Sequence, residues 1–310
     1  MNSNQINILE FPTNLGLKKT DFDIEPGVKK LPDWLHKHGF HKKINPVHIV
    51  RIEPPEYTMD LDVESGVRNA DKIIEYAIQQ SKVLFNRLDE NTFQLIVGGD
   101  CSILIGNAIA LKQKGNYGLF FLDGHTDFMF PELSQTGGAA GMDLAIVTGY
   151  GHDKLTNIYN QKPYFEEKNV FCVGNREYDP TYVRPILESD IQYFDLQKSR
   201  SNGLAKTANQ FLELIQESNL DGFFIHLDVD VLNDKIMPAV DSRKVDGLSY
   251  KELKELLTPL LLSKKAVGIE ITILDPNLDP DGKYTIEFIN NFVEILECRH
   301  KQESKSQITH

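Results

Sequence analysis

Three stretches of this 310-residue sequence carry an apolar run straight into side chains able to bind a cation or move a proton. They are LIVGGDCS at 95–102, LFFLDGHTDF at 119–128 and FFIHLDVDVLND at 223–234. Each run has the character of a buried strand, where an unpaired charge is costly. Asp123, His125 and Asp127 stand at i, i+2 and i+4, and Asp228 and Asp230 at i and i+2. In extended backbone such spacing aims a set of side chains to one side. In open α/β sheets, ligands gather at the carboxyl ends of the strands. If these strands are neighbours, four carboxylates and one imidazole converge. The sequence sets no matching group of Lys or Arg beside them, so the acids would repel one another and some would protonate. A pair of divalent cations bridged by carboxylates resolves the conflict, and such a pair most often activates a water for hydrolysis. Carboxylates with one imidazole suit Mn²⁺, and also Fe²⁺, Co²⁺, Ni²⁺ or Zn²⁺. Any one of these aspartates alone reads as a helix cap or turn residue; the joint pattern D-x-H-x-D with D-x-D favours the metal site.

Elements able to position these groups are legible in the hydrophobic pattern. Short apolar runs at 6–11, 46–52, 93–97, 117–122, 169–173, 191–194, 222–227 and 266–271 read as strands, several apolar nearly throughout, as buried parallel strands are. Helical patterns fall at 67–88, 102–114, 204–216, 250–262 and 285–296. The alternation predicts an α/β chain with one mainly parallel sheet covered by helices on both faces. Residues 18–45 read as an excursion near the site entrance, and the glycine-rich 128–165 as a long functional loop around one short helix. The reading is one catalytic domain over 1–298, followed by a polar tail, RHKQESKSQITH, over 299–310.

Composition narrows the function classes. A net charge of -12, from 33 Lys and Arg against 45 Asp and Glu, disfavours a nucleic-acid or anionic-membrane partner. Three scattered cysteines, Cys101, Cys172 and Cys298, form no CxxC pair and suggest a reducing, cytoplasmic setting. The N-terminus lacks a signal-peptide pattern, and no run of about 18 apolar residues is present. Binuclear phosphoesterases also use D-x-H, GD and GNH motifs. Here, however, GGD (98–100) precedes DGH (123–125), and GNRE (174–177) lacks the histidine. No GxxxxGK[ST] phosphate loop occurs.

The segments GGDCS, DGHTD, LDVDVLND and VGIEIT resemble, in order and spacing, those of the ureohydrolase family: arginase, agmatinase, formimidoylglutamase and relatives. The resemblance spans nearly the whole chain. It implies a three-layer α/β/α arginase fold with an eight-stranded sheet, a homo-oligomer (trimer or hexamer), and two Mn²⁺ or another divalent transition metal. It implies that Asp123 and Asp228 bridge both ions, that Asp127 binds the first, and that His125 and Asp230 bind the second. Glu270 matches the glutamate that pairs with the substrate guanidinium, and Asp127 the group that carries the proton from the water to the leaving amine. Glu177 and Asp179, in VGNREYDP, match acids that hold the substrate amino group.

Three departures bear on function. Cys101 stands where the family has a histidine ligand; either it holds the first ion as a softer ligand, or that ion binds weakly. Met129 and Ala140-Gly141 occupy places where arginases carry an asparagine and a histidine, which argues against L-arginine as substrate. Asp143 is an added acid that either meets a cationic substrate or caps the following helix. The expectation is an amidinohydrolase releasing urea from a guanidino compound. A formimidoylglutamase-like enzyme releasing formamide, or an inactive binding or regulatory oligomer, are the alternatives.

Overall fold

The computed structural model of the chain describes residues 5–20, 22–88 and 92–299. Its strands are β1 (Ile6–Phe11), β2 (His48–Arg51), β3 (Phe93–Gly98), β4 (Tyr117–Leu122), β5 (Val170–Val173), β6 (Gln192–Phe194), β7 (Gly222–Asp228) and β8 (Ala266–Thr272). They form one eight-stranded sheet in the order β2-β1-β3-β8-β7-β4-β5-β6. Every pairing is parallel, so the expected mainly parallel sheet is parallel throughout. Parallel neighbours need crossover connections, which the helices supply.

The alternation along β7 shows how the layers arise. Phe223, Ile225 and Leu227 face a core shared with the helices Leu204–Glu217, Tyr250–Leu262 and Lys283–Leu296. Phe224 faces the opposite core, shared with the helices Ala70–Arg87, Ile103–Lys114 and Asp143–Val147. By the same period of two, His226 and Asp228 share the face of Phe224. The helix Ile103–Lys114 is apolar on nearly all sides from Ile103 to Leu111 and is buried accordingly.

Three expectations are corrected. Among the described residues of 18–45, expected as an excursion near the site entrance, a 3₁₀ turn, Gly27–Lys30, and the helices Leu31–Lys37 and Phe40–Ile44 bury Leu31, Leu35 and Phe40 in the first core. The 128–165 segment holds two short helices, Asp143–Val147 and Asp153–Thr156, rather than one. The helices Pro180–Leu187 and Leu196–Asn202 were not anticipated, being short and mixed in pattern. Arg299, expected to begin the tail, is buried; it donates to the Leu261 carbonyl (2.7 Å) and lies over the Phe93 ring. Residues 300–310 lie outside the described residues. No described helix is long and apolar enough to cross a membrane.

Glycine 99 sets the turn that carries Asp100 and Cys101. A Cβ there would lie 1.7 Å from the Thr13 carbonyl oxygen and 2.6 Å from the Thr13 amide nitrogen, both fixed backbone atoms. Gly99→Ala is expected to destabilise the fold by about 3 kcal/mol, because neither backbone can yield without moving a strand end. Gly141→Ala, where nothing lies within 4 Å of the new carbon, should cost under about 0.5 kcal/mol. Urea unfolding midpoints of the two variants check this; equal midpoints would refute the close-approach argument.

Candidate metal centre

The four strands that carry the chemistry are consecutive in the sheet: β3, β8, β7 and β4. Their carboxyl ends therefore open on one crevice. The acids do not converge by extension of the strands, as spacing suggested. β4 ends at Leu122, and the Asp123 Oδ1 atom accepts the amide of His125 (2.6 Å), closing a tight turn. Asp127 follows with a φ of 44°, a left-handed conformation uncommon for a residue with a side chain. On β7, the Asp228 Oδ1 atom accepts the amide of Asp230 (2.7 Å), which starts a single 3₁₀ turn, Val229–Val231. Side-chain-to-backbone turns, not strand pleat, thus fold both motifs back over the sheet end.

The result is a set of interlocking donor groups. Cys101 Sγ, an Asp123 oxygen, a His226 nitrogen and an Asp228 oxygen lie within 4.8 Å of one another. Asp123, His125 and Asp230 form a second group, and Cys101, Asp127 and Asp143 a third, by the same 4.8 Å measure. Cys101 donates its S–H to Asp228 Oδ2 (3.0 Å), and its Sγ also lies 3.2 Å from Thr272 Oγ1. His125 Nδ1 lies 2.8 Å from Asp230 Oδ2, and the Gly124 amide donates to Asp230 Oδ1 (2.9 Å). Arg176 is the nearby cation; its Nη2 atom donates to the backbone carbonyl of Asp230 (2.7 Å), not to a carboxylate.

The electrostatics are those of crowded anions. Burial raises the carboxyl groups of Asp123, Asp127 and Asp228 above their ordinary range, and neighbouring carboxylates add to the shift. Burial would raise Asp230 too, but His125 and Arg176 hold it low. Burial alone would lower His125; Asp230 and Asp123 instead push it up to about 9. Burial, then Asp228, keeps the Cys101 thiol protonated in the metal-free protein. Asp123 Oδ2, Asp143 Oδ2 and His226 Nε2 are buried with no hydrogen-bond partner. An orphaned buried polar atom costs about 1–3 kcal/mol. Sulfur, nitrogen and oxygen donors that converge on one space with three orphan atoms fit divalent cations.

A cavity of about 300 Å³ leads from this cluster to solvent. Its lining includes Cys101, His125, Asp127, Asp228 and Asp230, with Met129, Tyr182 and Ile273. Not every residue expected at the site is there. Glu270 does not line the cavity. β8 runs on to Thr272, so Glu270 lies within the strand, fully buried, with Oε1 2.5 Å from His226 Nδ1 and Oε2 accepting from Asn107 (2.5 Å). The residue that β8 presents to the cavity is Ile273, at a φ of 75°. Glu177 pairs with Lys244, and Asp179 caps the helix Pro180–Leu187 by accepting from Thr181 (2.8 Å) and Tyr182 (3.3 Å); neither lines the cavity. Asp143 is buried beside Cys101 and Asp127, facing the acid cluster rather than the cavity. Sequence reasoning missed His226, which stands two residues before Asp228 and so on the same strand face. It missed Tyr182, Asp241 and Ile273 altogether, because no motif marks them.

The family model described as the arginase family matches residues 22–296. The chain belongs to the arginase family. An arginase of Staphylococcus aureus (strain MRSA252) is 26% identical over 276 residues, covering 88% of this chain and 91% of that protein. The crystal structure of the Bacillus caldovelox arginase superposes with a TM-score of 0.83 at 23% identity, over 94% of this chain and 98% of that one. The Bacillus subtilis formimidoylglutamase structure superposes with a TM-score of 0.71 at 19% identity, over 95% and 87% of the two chains. These two structural likenesses are likenesses of fold. Membership makes the protein an arginase-family hydrolase with a buried cluster of potential metal ligands.

In this arginase-family chain the acid cluster fixes the sign of the metal-free pH response. The His125 pKa is raised from 6.5 to about 9, so its contribution to stability is complete below pH 6.5 and is lost as pH rises through 9. Asp127 and Asp228 are raised as well, so their ionisation opposes folding above the ordinary carboxylate range. Both effects act in one direction. Chelator-treated protein should therefore unfold at lower urea at pH 9 than at pH 6.5, and an added divalent cation should shrink the difference. A metal-free protein that is more stable at pH 9 would contradict this electrostatic account.

Proposed function

We propose that this chain hydrolyses a C–N bond of a linear guanidine or amidine at a centre holding two divalent ions, manganese or another transition metal. The observation that carries the reading is the convergence of Cys101, His125, Asp127, Asp228 and Asp230 along a solvent-reaching cavity, with Asp123 buried among them, within an arginase-family fold. Cys101, Asp123, His125, Asp127, Asp228 and Asp230 would hold the ions. Bound there, divalent ions supply Lewis acidity and bring the pKa of a water toward neutrality.

The remaining work falls to the chain. Asp127 lines the cavity and is held by its left-handed turn, so its carboxylate can accept a proton from the attacking water and return it to the leaving nitrogen. Loss of that nitrogen as an amine gives urea from a guanidine, or formamide from a formimino compound. His125, fixed by Asp230, lines the same cavity. Leu17, Met129, Leu133 and Ile273 give the cavity an apolar side along which a hydrocarbon chain can lie. Among the described residues no Lys or Arg lines it, while Asp241 joins the acids at its exposed rim. That charge balance favours a cationic substrate without a carboxylate over arginine or formiminoglutamate.

One observation favours a second reading. Glu270 is engaged by His226 and Asn107, and Ile273 faces the cavity, so no carboxylate on β8 meets a guanidinium. A binding or regulatory oligomer that retains metal without turnover would have this arrangement.

A panel of agmatine, arginine, guanidino acids and formiminoglutamate, assayed with Mn²⁺, Co²⁺, Ni²⁺ and Zn²⁺ for urea, ammonia and formamide, decides between the readings. The expected result is hydrolysis of a carboxylate-free guanidine, with kcat/KM at least about tenfold above its carboxylate-bearing analogue. Asp228→Asn should abolish metal uptake and turnover together, and Asp127→Asn should lower kcat by about 100-fold or more while metal is retained. Full metal occupancy with no product from any compound would sink the hydrolase and leave the binding reading.

A further inference from the structure

This inference rests on the reading that divalent ions occupy the strand ends, and it concerns which side chains hold one of them. We propose that His226, with Cys101, Asp123 and Asp228, ligates the first ion, and that Glu270 and Asn107 are the buried support of that histidine. The first ion is then one that accepts thiolate and imidazole together, of the zinc class rather than manganese.

The geometry is that of a metal-binding histidine. Its Nδ1 atom lies 2.5 Å from Glu270 Oε1, and the other carboxylate oxygen of Glu270 accepts from Asn107 (2.5 Å). A proton donated from Nδ1 to the carboxylate fixes the tautomer, which leaves a lone pair on Nε2. Nε2 has no hydrogen-bond partner. It points at Asp123 Oδ2, 3.7 Å away, which has none either. The imidazole is stacked on Phe121, with centroids 4.4 Å apart and planes 6° from parallel, so its direction is set by packing as well as by Glu270. Carboxylate–histidine–metal relays of this form are the common way a protein orients an imidazole ligand.

The donor set also answers why a cysteine is tolerated here. Cys101, Asp123, His226 and Asp228 are each at most 3% exposed, and one ligand atom from each lies within 4.8 Å of the others. Four such donors complete a site for a borderline cation, which moves Asp127 from the ligand role given it above to the cavity wall. Asp127 groups with Cys101 and Asp143 instead, and lines the cavity. Thiolate and imidazole together select zinc, cobalt or ferrous iron over manganese, which takes oxygen donors by preference. The register of the sheet supplies the scaffold: His226 is paired with Glu270 and Asp228 with Thr272 across β7 and β8, so ligand and support are set by the same ladder.

The test strips the full-length protein with a chelator, reloads it with Zn²⁺ or Co²⁺, and reads three quantities. These are ions per chain by mass spectrometry, affinity by competition with a chromophoric chelator, and the near-ultraviolet thiolate-to-cobalt absorption. Wild type should hold two ions and show the thiolate band. His226→Asn should lose one ion per chain, or bind it at least 100-fold more weakly, with loss of the band. His125→Asn should lose the other ion and keep the band. Glu270→Gln should keep the stoichiometry and weaken the first ion by about 10- to 100-fold. If His226→Asn has native circular dichroism yet binds both ions with wild-type affinity and an unchanged band, the proposal is overturned. Should that variant not fold, unchanged affinity in Glu270→Gln overturns it. Wild-type protein that takes up no ion would overturn this assignment together with the reading beneath it, whereas two ions bound without His226 would overturn this assignment alone.

Discussion

Mutual repulsion among buried carboxylates is the constraint around which this molecule is built. Asp123, Asp127, Asp143, Asp228 and Asp230 are all buried at or beside the carboxyl ends of adjacent parallel strands, and the cationic partners to hand are few. Arg176 donates to the carbonyls of Asp230 and Lys244 rather than to a carboxylate, and His125 lies 2.8 Å from Asp230 Oδ2 and 3.8 Å from Asp123 Oδ1. A fold that keeps such a cluster must fix each carboxylate by other means. It uses their own backbone: Asp123 and Asp228 each accept an amide two residues ahead, and Asp127 is held in a left-handed turn. Residues held in such sparsely populated conformations cost on the order of 1–3 kcal/mol and persist where the surroundings impose them. Here the surroundings include the helix Asp143–Val147, whose Ala145 amide donates to the Asp127 carbonyl (3.2 Å).

The same constraint explains an otherwise odd feature of the second core. The face of β7 and β8 that packs toward the helix Ile103–Lys114 carries a histidine, a glutamate and, from the helix, an asparagine, all fully buried. Replacing them by apolar side chains would be neutral or favourable for stability alone. Only the polar purpose of the His226 Nε2 atom, aimed past Phe121 toward Asp123, gives the network a reason. Asn107 and Glu270 thereby become part of the functional apparatus although neither touches the cavity. Removing any one member leaves the rest half-satisfied, which is worse than having no network at all.

How much of this could be seen in the sequence follows from what each feature depends on. The parallel sheet and its helices were legible because they rest on local periodicity and apolar runs. The gathering of Cys101, Asp123, His125, Asp127, Asp228 and Asp230 was legible because their spacing survives whichever local conformation carries it. The means of convergence was not: turns at Asp123 and Asp228 depend on side-chain hydrogen bonds that spacing does not encode. Glu270 is named by the resemblance and not by the strand pattern; β8 continues to Thr272, so Glu270 stays within the strand, and Ile273 just beyond it lines the cavity. Glu177 and Asp179 were read by likeness of segment, and the structure spends them on Lys244 and a helix N-terminus. Tyr182, Asp241 and Ile273 come from three separate segments that meet only through the fold.

Ile273 carries the argument about substrate furthest. A β-branched residue at a φ of 75° is a genuine outlier, and its amide is tied to the Gly99 carbonyl (2.8 Å), so the turn is held from the β3 side. The side chain so placed makes one wall of the cavity apolar directly beside the donor cluster. A planar cation entering there finds carboxylates below it and hydrocarbon on the β8 side. Under the proposed function, the acids of the cluster and Asp241 at the rim would orient the substrate, since no glutamate of the last strand lines the cavity. The chemistry at the strand ends and the selectivity of the cavity are thus set by different segments, which is how an arginase-family scaffold can keep its acid cluster while the compound it accepts changes.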